Sequence, residues 1–132
     1  MIVRSKADSI LNDIFSKNNW LKLSTTTPTE TGGNFTEPPT SCGYRAKQLS
    51  EMGTPSKGVI SNTDIMFIGE IITNAGKVTH FGIFASSSAL TPIYYGEVYD
   101  EDGNLGITLS KGNALLIRKS MLKAGIDVDS LD

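Results

Sequence analysis

The second half of the chain consists of short apolar runs rich in β-branched and aromatic residues, separated by turns rich in glycine, serine or asparagine. The runs occupy residues 64–72, 77–85, 92–99, 105–109 and 114–118. Short strands at regular spacing with glycine-rich turns are typical of antiparallel sandwiches and barrels. The sequence therefore predicts a mainly β fold, an antiparallel β-sandwich of jelly-roll or immunoglobulin-like type over about residues 20–128. After residue 118 the chain fits either a short helix ending at Gly125 or a last strand through Ile126 and Val128, and we favour the strand.

The N-terminal region has the periodicity of a helix instead. Residues 5–18 place apolar side chains at i, i+3, i+4, i+7 and i+8, and these are Ala7, Ile10, Leu11, Ile14 and Phe15. Ser5 and Asp8 resemble a capping box at the start, and the Asn-Asn pair at 18–19 resembles a stop. We predict one short α-helix over about residues 5–18. Its apolar stripe must be buried, because so short a helix is marginal alone in water.

The segment between the helix and the β-rich half contains a strand and a long loop. Residues 20–24, WLKLS, alternate and are rich in apolar side chains, which favours a strand. Residues 25–41, TTTPTETGGNFTEPPTS, contain Gly-Gly and Pro-Pro and have almost nothing to bury. A loop of this length is unusual in a compact domain and tends to be functional, partner-bound or disordered. Residues 43–49 are compatible with a further strand, and residues 51–58 with a turn.

Length and composition limit what the chain can be. At 132 residues it fits a single domain, residues 1–132, because two cores of half that size would be barely stable. The formal net charge of −2 offers no broad basic surface, so nucleic acid is not an expected partner. The single cysteine, Cys42, excludes an internal disulfide framework and a cysteine-based zinc cluster. No apolar run reaches membrane-spanning length, and Arg4, Lys6 and Asp8 do not fit a secretory signal, so we expect no membrane partner and assembly in a cytoplasm.

The one histidine, His80, lies within the most apolar run of the chain, VTHFGIF at residues 78–84. Alternation puts apolar side chains on both faces of this strand, so it is covered either by its own core or partly by a neighbouring subunit. A catalytic histidine needs a nucleophile and an orienting group. The candidates, Cys42 and the serines at 86–88, lie in no recognisable motif. We therefore interpret His80 as a packed side chain and predict no catalytic residue.

Two kinds of segment resemble ion-binding or phosphate-binding loops without matching them. YDEDGN at residues 99–104 resembles a calcium loop, but its glycine comes too early and no glutamate closes it, so we predict a hairpin turn. TETGGN at 29–34 and SKGN at 110–113 lack the Lys-Ser/Thr ending of a phosphate loop. The sequence therefore predicts neither a cofactor nor a metal site.

Three tyrosines in the apolar run at 92–99, Tyr94, Tyr95 and Tyr99, are candidate binding residues. Exposed tyrosines supply rigid amphipathic contact area for protein or sugar binding, although packing in the core is the more common role. Alternation puts Tyr95 and Tyr99 on one face of the strand and Tyr94 on the other.

Four segments carry a resemblance to a known family: LSTTTPT at 23–29, GYR at 43–45, VTHFGIFA at 78–85 and AG at 124–125. In this order they resemble small tailed-bacteriophage virion proteins that are commonly labelled tail fibre or minor structural proteins. THFGIF is the most specific part of the likeness, and Ser86 departs from it by standing where an aspartate-containing turn is usual. The resemblance implies a β-sandwich without catalytic residues that is present in many copies.

The resemblance also implies a function. We expect a non-enzymatic structural subunit of a virion, associated with the tail, fibre or neck, whose partners are other virion proteins and further copies of itself. The loop at 25–41 is the expected contact arm, because a partner readily orders a loop with so little to bury. The expected contacts in this loop and in the helix are Thr25, Thr26, Thr27, Pro28, Phe35, Pro38, Pro39, Ile10, Ile14 and Phe15. One alternative is a capsid-decorating or head-fibre protein, and another is a receptor- or glycan-binding module that uses Tyr94, Tyr95 and Tyr99.

Overall fold

The computed structural model describes residues 2–126 of the chain. Within them it contains one α-helix, α1 (Arg4–Ile14), a 3₁₀ turn at Thr40–Cys42 and ten short strands. In chain order the strands are β1 (Trp20–Ser24), β2 (Lys47–Gln48), β3 (Val59–Ser61), β4 (Met66–Glu70), β5 (Lys77–Val78), β6 (His80–Phe84), β7 (Tyr94–Glu97), β8 (Ile107–Thr108), β9 (Ala114–Ile117) and β10 (Lys123–Gly125). The predicted mainly β character and the short N-terminal helix are confirmed.

The strands form several small antiparallel sheets. One sheet has four strands in the order β2-β1-β6-β7, and the other three sheets are the pairs β3–β10, β4–β9 and β5–β8. Throughout the described residues these sheets are small and unclosed, so the expected jelly-roll or immunoglobulin-like sandwich is not confirmed. The strands are short, so each ladder contains few residue pairs. A bulge between Phe67 and Gly69 also interrupts the β4–β9 register.

The predicted strand at 77–85 is a continuous segment that changes partner at Thr79. Before this residue, β5 pairs with β8, and after it β6 pairs with β1 and β7. The N–H of Thr79 donates to the Ser24 carbonyl oxygen at 2.9 Å, at the end of β1. One apolar run therefore joins a two-stranded sheet to the four-stranded sheet.

Other predicted strands are present with different bounds. Residues 43–49 contribute only the short strand β2, and β3 lies in a segment that the sequence analysis did not assign to a strand. At the C-terminal end the structure contains the strand β10, so the helical alternative is wrong. Val128, which was expected in the same strand, lies outside the described residues.

Helix α1 lies beside β3, and its apolar stripe is buried in the core. Ala7 and Leu11 are fully buried, and Phe15, directly after the helix, is buried as well. The Phe15 ring lies 6.4 Å from the Phe81 ring and 5.5 Å from the Tyr94 ring, measured between centroids. The Phe81 and Tyr94 rings are stacked with centroids 6.1 Å apart. Phe15 thus packs against one face of β6 and β7.

Helix α1 ends at Ile14 rather than near residue 18, and its start is not capped as predicted. The capping box of Ser5 and Asp8 is wrong, because no side chain caps the start of the helix. Instead, the Asp8 Oδ1 accepts a hydrogen bond from the Gly58 N–H at 2.8 Å, which links the helix to the turn before β3. At the other end, the Asn19 Nδ2 donates to the Ile14 carbonyl oxygen at 2.8 Å. This bond satisfies one of the carbonyl groups that a helix end leaves free.

Two backbone segments touch at Gly43 and Gly69. A Cβ atom on Gly43 would overlap the Glu70 carbonyl oxygen, and a Cβ atom on Gly69 would overlap the Gly43 carbonyl oxygen. Gly43 also has a φ of +106°, in the region that favours glycine. Beside this contact, the Ile72 N–H donates to the Cys42 carbonyl oxygen at 2.8 Å. The GYR segment is therefore held against the end of β4 by an approach that only glycine permits.

Asn62 is a fully buried polar residue that connects three segments. Its Nδ2 donates to the carbonyl oxygens of Asp64 and Arg118, each at 2.9 Å. Its Oδ1 accepts from the Leu122 N–H at 3.0 Å, and its main-chain carbonyl accepts from the Ser120 N–H, also at 3.0 Å. This single side chain fixes the end of β3 against the connection between β9 and β10.

Tyr44 is buried and anchors the long loop to β1. Its hydroxyl accepts a hydrogen bond from the Leu23 N–H at 3.0 Å and donates one to the Glu37 Oε1 at 2.6 Å. Burial, and next the hydrogen bond to Glu37, raise the pKa of Tyr44 far above its ordinary value. The phenol of folded Tyr44 therefore stays neutral at pH values at which an unfolded tyrosine has begun to ionise.

The raised pKa of Tyr44 has a consequence for stability at high pH. An unfolded tyrosine ionises near pH 10, so the folded form is favoured fully below that pH and loses this advantage as the pH rises above it. We expect the free energy of unfolding to fall by up to about 1.4 kcal/mol for each pH unit above about 10 on this account. In urea titrations Tyr44→Phe is expected to show a shallower fall, with about 1–3 kcal/mol less stability at pH 7 because the Leu23 N–H loses its acceptor. Tyr95→Phe is the control, and equal alkaline slopes in both variants would contradict the assignment.

Candidate functional site

His80 is a packed residue on an inner strand of the four-stranded sheet, at the start of β6. It is 8% exposed, and its Nδ1 lies 2.8 Å from the Thr79 Oγ1. Its neighbours across the sheet are Ser24 on β1 and Glu97 on β7. Within residues 2–126, no group of histidine, cysteine, aspartate and glutamate side chains is placed to hold a metal ion. The burial of His80 agrees with its interpretation as a packed side chain, and the absence of catalysis stays a prediction.

Both faces of β6 are covered by the chain itself, and all five residues of the strand are buried. On one face, Phe15 packs against Phe81. On the other, Phe35 of the long loop packs edge-on against Phe84 with ring centroids 5.0 Å apart. Gly82 makes room for this contact, because a Cβ atom there would lie 2.7 Å from the Phe35 ring. A neighbouring subunit is therefore not needed to cover this apolar strand.

The loop at residues 25–41 closes on itself through hydrogen bonds. The Thr25 N–H donates to the Thr36 carbonyl oxygen at 2.8 Å, and the Thr36 N–H donates to the Ser24 Oγ at 3.0 Å. Within the loop, the Asn34 Nδ2 donates to the Thr27 carbonyl oxygen at 3.0 Å. These bonds bring residues 25 and 36 together at the end of β1, so the chain itself supplies partners for much of the loop.

The predicted contact residues fall into three groups by exposure. The exposed ones are Thr27 and Pro39, the half-buried ones are Ile10, Ile14, Thr25, Thr26 and Phe35, and the buried ones are Phe15, Pro28 and Pro38. The expectation that the loop has almost nothing to bury is therefore wrong. The structure also separates the two sets, because Phe15, directly after the helix, and Phe35 of the loop pack on opposite faces of β6. That these residues contact partner proteins stays a prediction.

The outer side of the β4–β9 pair is a surface that the sequence analysis did not single out. We call it the outer patch, and it consists of Ile65, Phe67 and Leu116. Phe67 stands opposite Leu116 in the ladder, and Phe67 is 56% exposed while Ile65 is 46% exposed. A cavity of about 440 Å³ adjoins the patch and is lined in part by Leu116, Glu101 and Arg118. The Arg118 Nε and the Glu101 Oε2 form an ion pair 2.7 Å long at this edge.

The sequence did contain a signal for the outer patch. Residues 64–72 are apolar at odd and even positions alike, with Ile65 and Phe67 alternating with Met66 and Ile68. Met66 and Ile68 are buried in the core. A strand that is apolar on both faces is expected to be covered on both, yet among the described residues the side with Phe67 is left open. The exposed side is therefore a candidate contact surface.

The three candidate tyrosines lie on β7 or just after it. Tyr94 is half-buried against α1, whereas Tyr99 is exposed. Tyr94 and Tyr99 both line a cavity of about 400 Å³, together with Glu97, Lys123 and other residues of β7 and β10, and we call it the tyrosine groove. Tyr95 is not among its lining residues. Tyr94 and Tyr99 therefore line one groove although alternation puts them on opposite faces, because the groove lies at the edge of the sheet.

The turn after β7 carries several carboxylates close to the tyrosine groove. The Asp100 Oδ1 accepts hydrogen bonds from the N–H groups of Asp102 and Asn104, at 2.9 and 2.8 Å, so the predicted hairpin turn is confirmed. The Tyr99 hydroxyl donates to the Glu97 Oε1 at 2.9 Å. This hydrogen bond raises the pKa of Tyr99, because ionisation of the phenol would destroy it.

The described part of the chain is a small, mainly β protein whose most conspicuous surfaces are an apolar patch and an aromatic groove. Within it, no helix has the length and apolar character needed to cross a membrane. Contiguous exposed apolar surface is typical of proteins that act through contacts with other macromolecules. These features describe a small, mainly β protein with two candidate contact surfaces.

The chain belongs to the family described as podophage GP4 fiber I protein gp80, whose model matches residues 11–104. It is therefore a member of a bacteriophage fibre family, as the resemblance in the sequence suggested in broader terms. The matched range contains the segments at 23–29, 43–45 and 78–85, and it ends before the segment at 124–125. A comparison with curated proteins found no match.

Proposed function

We propose that this chain is a non-enzymatic structural subunit of a tailed-phage fibre, on the tail side of the particle. It is assembled in the host cytoplasm and held by contacts with other virion proteins and with further copies of itself. The outer patch is the observation that carries the proposal, and membership of a fibre family supports it. The fold supplies a stable scaffold, and the patch supplies the contact.

Covering the outer patch with a partner would be energetically favourable. Burying a phenylalanine side chain completely is worth about 1.5–3 kcal/mol, and Phe67 has 56% of its surface still exposed. The edge of the patch carries both signs of charge, in Arg118 and Glu101. A surface with an apolar centre and both charges at its edge is complementary to itself, so a second copy related by a two-fold axis is the occupant that we favour.

Phe67→Ser tests this contact. We expect the variant to keep the far-ultraviolet circular dichroism of the wild type, because Phe67 faces outward, and to lower self-association by about tenfold or more, a factor that corresponds to about 1.4 kcal/mol. Light scattering measures the mass of the purified chain, and complementation of a phage that lacks this gene measures incorporation into particles. The matched control is Leu90→Ser, which removes a side chain that is 90% exposed and lies outside the patch. Equal effects of both variants, or none, would contradict the role of the patch.

The position in the particle needs a separate measurement. Electron cryomicroscopy of particles that carry a labelled copy of the chain is expected to place the label on the tail. Label distributed over the head shell would contradict the tail position and favour capsid decoration. Retained infectivity of His80→Asn particles is expected, because the proposal gives the imidazole a packing role only.

A further inference from the structure

Strand β7 forms a free edge of the four-stranded sheet. The outer strands of the four-stranded sheet are β2, with two residues, and β7, with four. The edge of a sheet presents N–H and C=O groups that can pair with a further strand. A two-residue strand offers few such groups, so β7 is the edge with the greater capacity to pair.

The register shows which main-chain groups of β7 point outward. In an antiparallel pair, successive residues direct their N–H and C=O groups alternately toward the partner strand and away from it. The Val98 N–H donates to the Thr79 carbonyl oxygen at 2.9 Å, so Val98 and Gly96 point toward β6. Tyr95 and Glu97 therefore point away from β6. Among residues 2–126, the main-chain N–H and C=O groups of Tyr95 and Glu97 have no hydrogen-bond partner.

The opposite wall of the tyrosine groove is the open edge of β10. The Gly125 N–H donates to the Tyr94 hydroxyl at 3.0 Å, and the same hydroxyl donates to the Gly125 carbonyl oxygen at 3.2 Å. The main chain of Gly125 thus points away from β3 and toward β7. Lys123, two residues earlier on the same strand, points the same way. The Tyr94 hydroxyl therefore already occupies the main-chain groups of Gly125, whereas those of Glu97 and Lys123, which line the groove from its two sides, have no partner among residues 2–126.

Charge and shape indicate what the groove accepts. Residues 97–102 contain four carboxylates, Glu97, Asp100, Glu101 and Asp102, and only Glu101 forms a described ion pair. A second cavity of about 350 Å³ adjoins the groove and is lined in part by Tyr99 and the partly buried, apolar Met121. Of these carboxylates only Glu97 lines the groove, opposite the basic Lys123, and the other three lie on the adjoining turn. The main-chain edge, the apolar cavity and the acidic turn together fit an extended peptide with alternating apolar and basic side chains.

We propose that the free edge of β7 binds an extended basic segment of another virion protein as a fifth strand of this sheet. Main-chain hydrogen bonds to Tyr95 and Glu97 supply the pairing, one apolar side chain enters the cavity beside Tyr99, and the acidic turn selects basic residues. Only the identity of the partner as a virion protein rests on the proposed function. The strand pairing itself stands on the geometry of the edge.

The direct test uses a synthetic peptide of alternating lysine and valine, about seven residues long, blocked at both ends. It is titrated into the isotopically labelled full chain and followed by nuclear magnetic resonance. We expect shifts at the amides of Tyr95, Glu97 and Lys123, and slower hydrogen exchange of the Tyr95 and Glu97 amides at saturation. A peptide of alternating glutamate and valine is expected to bind at least about tenfold more weakly. Unchanged exchange at both amides would overturn the proposal.

Two substitutions at one position separate main-chain pairing from side-chain binding. Glu97→Pro removes an N–H that points away from β6, so the existing ladder is kept. Glu97→Ala removes the same carboxylate and keeps the N–H. We expect Glu97→Pro to bind the lysine–valine peptide at least about tenfold more weakly than Glu97→Ala. Equal binding by the two variants would overturn the proposal, and if Glu97→Pro does not fold, the exchange measurement on the wild-type chain decides.

Two other occupants of the groove are outcomes of the same experiments. A neutral trisaccharide such as maltotriose could bind with shifts at Tyr99 and no slowed exchange of the Tyr95 and Glu97 amides. That result would identify a sugar, rather than a peptide, as the ligand of the groove. The chain alone could also show slowed exchange of both amides and a doubled mass that Glu97→Pro abolishes. That result would identify a second copy of the chain, rather than a basic peptide, as the occupant of the groove. Either result would overturn the proposal. Neither depends on Phe67, so the proposed assembly role is tested independently.

Discussion

Gly43→Ala is expected to leave little folded protein under conditions in which the wild-type chain is folded. The added Cβ atom would overlap the Glu70 carbonyl oxygen, which is a backbone atom and cannot swing aside as a side-chain end can. Overpacking of this kind costs about 1–3 kcal/mol, and the φ of +106° at Gly43 adds about 1–2 kcal/mol for a residue with a side chain. The sum, a loss of about 2–5 kcal/mol, is at its upper end comparable with the whole stability of a marginal small domain. Urea denaturation followed by circular dichroism measures the effect.

Two further glycines separate the causes of this loss. Gly112 also has a positive φ, of +88°, but a Cβ atom there would meet nothing within 4 Å. Gly112→Ala is therefore expected to cost only about 1 kcal/mol. Gly69→Ala introduces the overlap with the Gly43 carbonyl oxygen without a positive φ, and its cost should lie between those of the other two. If Gly43→Ala and Gly112→Ala were equally stable, the backbone contact would not be the cause.

Asn62→Asp is expected to have the second largest effect, a loss of about 3 kcal/mol or more at neutral pH. The substitution keeps the acceptor for the Leu122 N–H but replaces the donor that serves the carbonyl oxygens of Asp64 and Arg118. A buried carboxylate oxygen would then face two carbonyl oxygens with no proton between them. Unsatisfied buried groups cost about 1–3 kcal/mol each, and more when one is charged. The free energy of unfolding from urea titration measures the loss.

The control for Asn62→Asp makes the same chemical change at the surface. Asn12 is exposed on α1, so Asn12→Asp alters the net charge equally and is expected to stay within about 0.5 kcal/mol of the wild type. Asn62→Ala removes the side chain without adding charge and should be destabilised as well, because three main-chain groups lose their partner. Similar stability of Asn62→Asp and Asn12→Asp would contradict the buried network as described.

Local patterns predicted the elements that depend mainly on neighbours in sequence. The alternation of WLKLS predicted β1, and the sequence between Tyr99 and Leu105 predicted the turn that Asp100 closes through its own side chain. The apolar spacing of α1 predicted the helix, although its N-terminal cap was wrong, and Asp8 instead bonds to Gly58, fifty residues away. A pattern within a few residues cannot reveal a partner at that distance.

The contact surfaces were harder to predict, because exposure is decided by what folds over a residue. Phe35 lies in a loop that reads as polar, yet it is half-buried against Phe84 because Gly82 leaves space for its ring. Phe67 lies in a strand that reads as fully buried, yet its side chain is exposed. Sequence reasoning therefore placed the contact arm on the loop and did not single out the outer patch.

By itself the sequence determined the kinds of structure the chain forms: a short helix, brief strands and tight turns, and a family whose signature lies in residues 11–104. These properties depend on alternation, spacing and turn residues that lie close together along the chain. Only the tertiary structure decided the change of partner at Thr79, the backbone contact of Gly43 with Gly69, and which apolar faces stay open. The physical reason is that such features depend on atoms brought together from distant parts of the chain, whose positions no local pattern records.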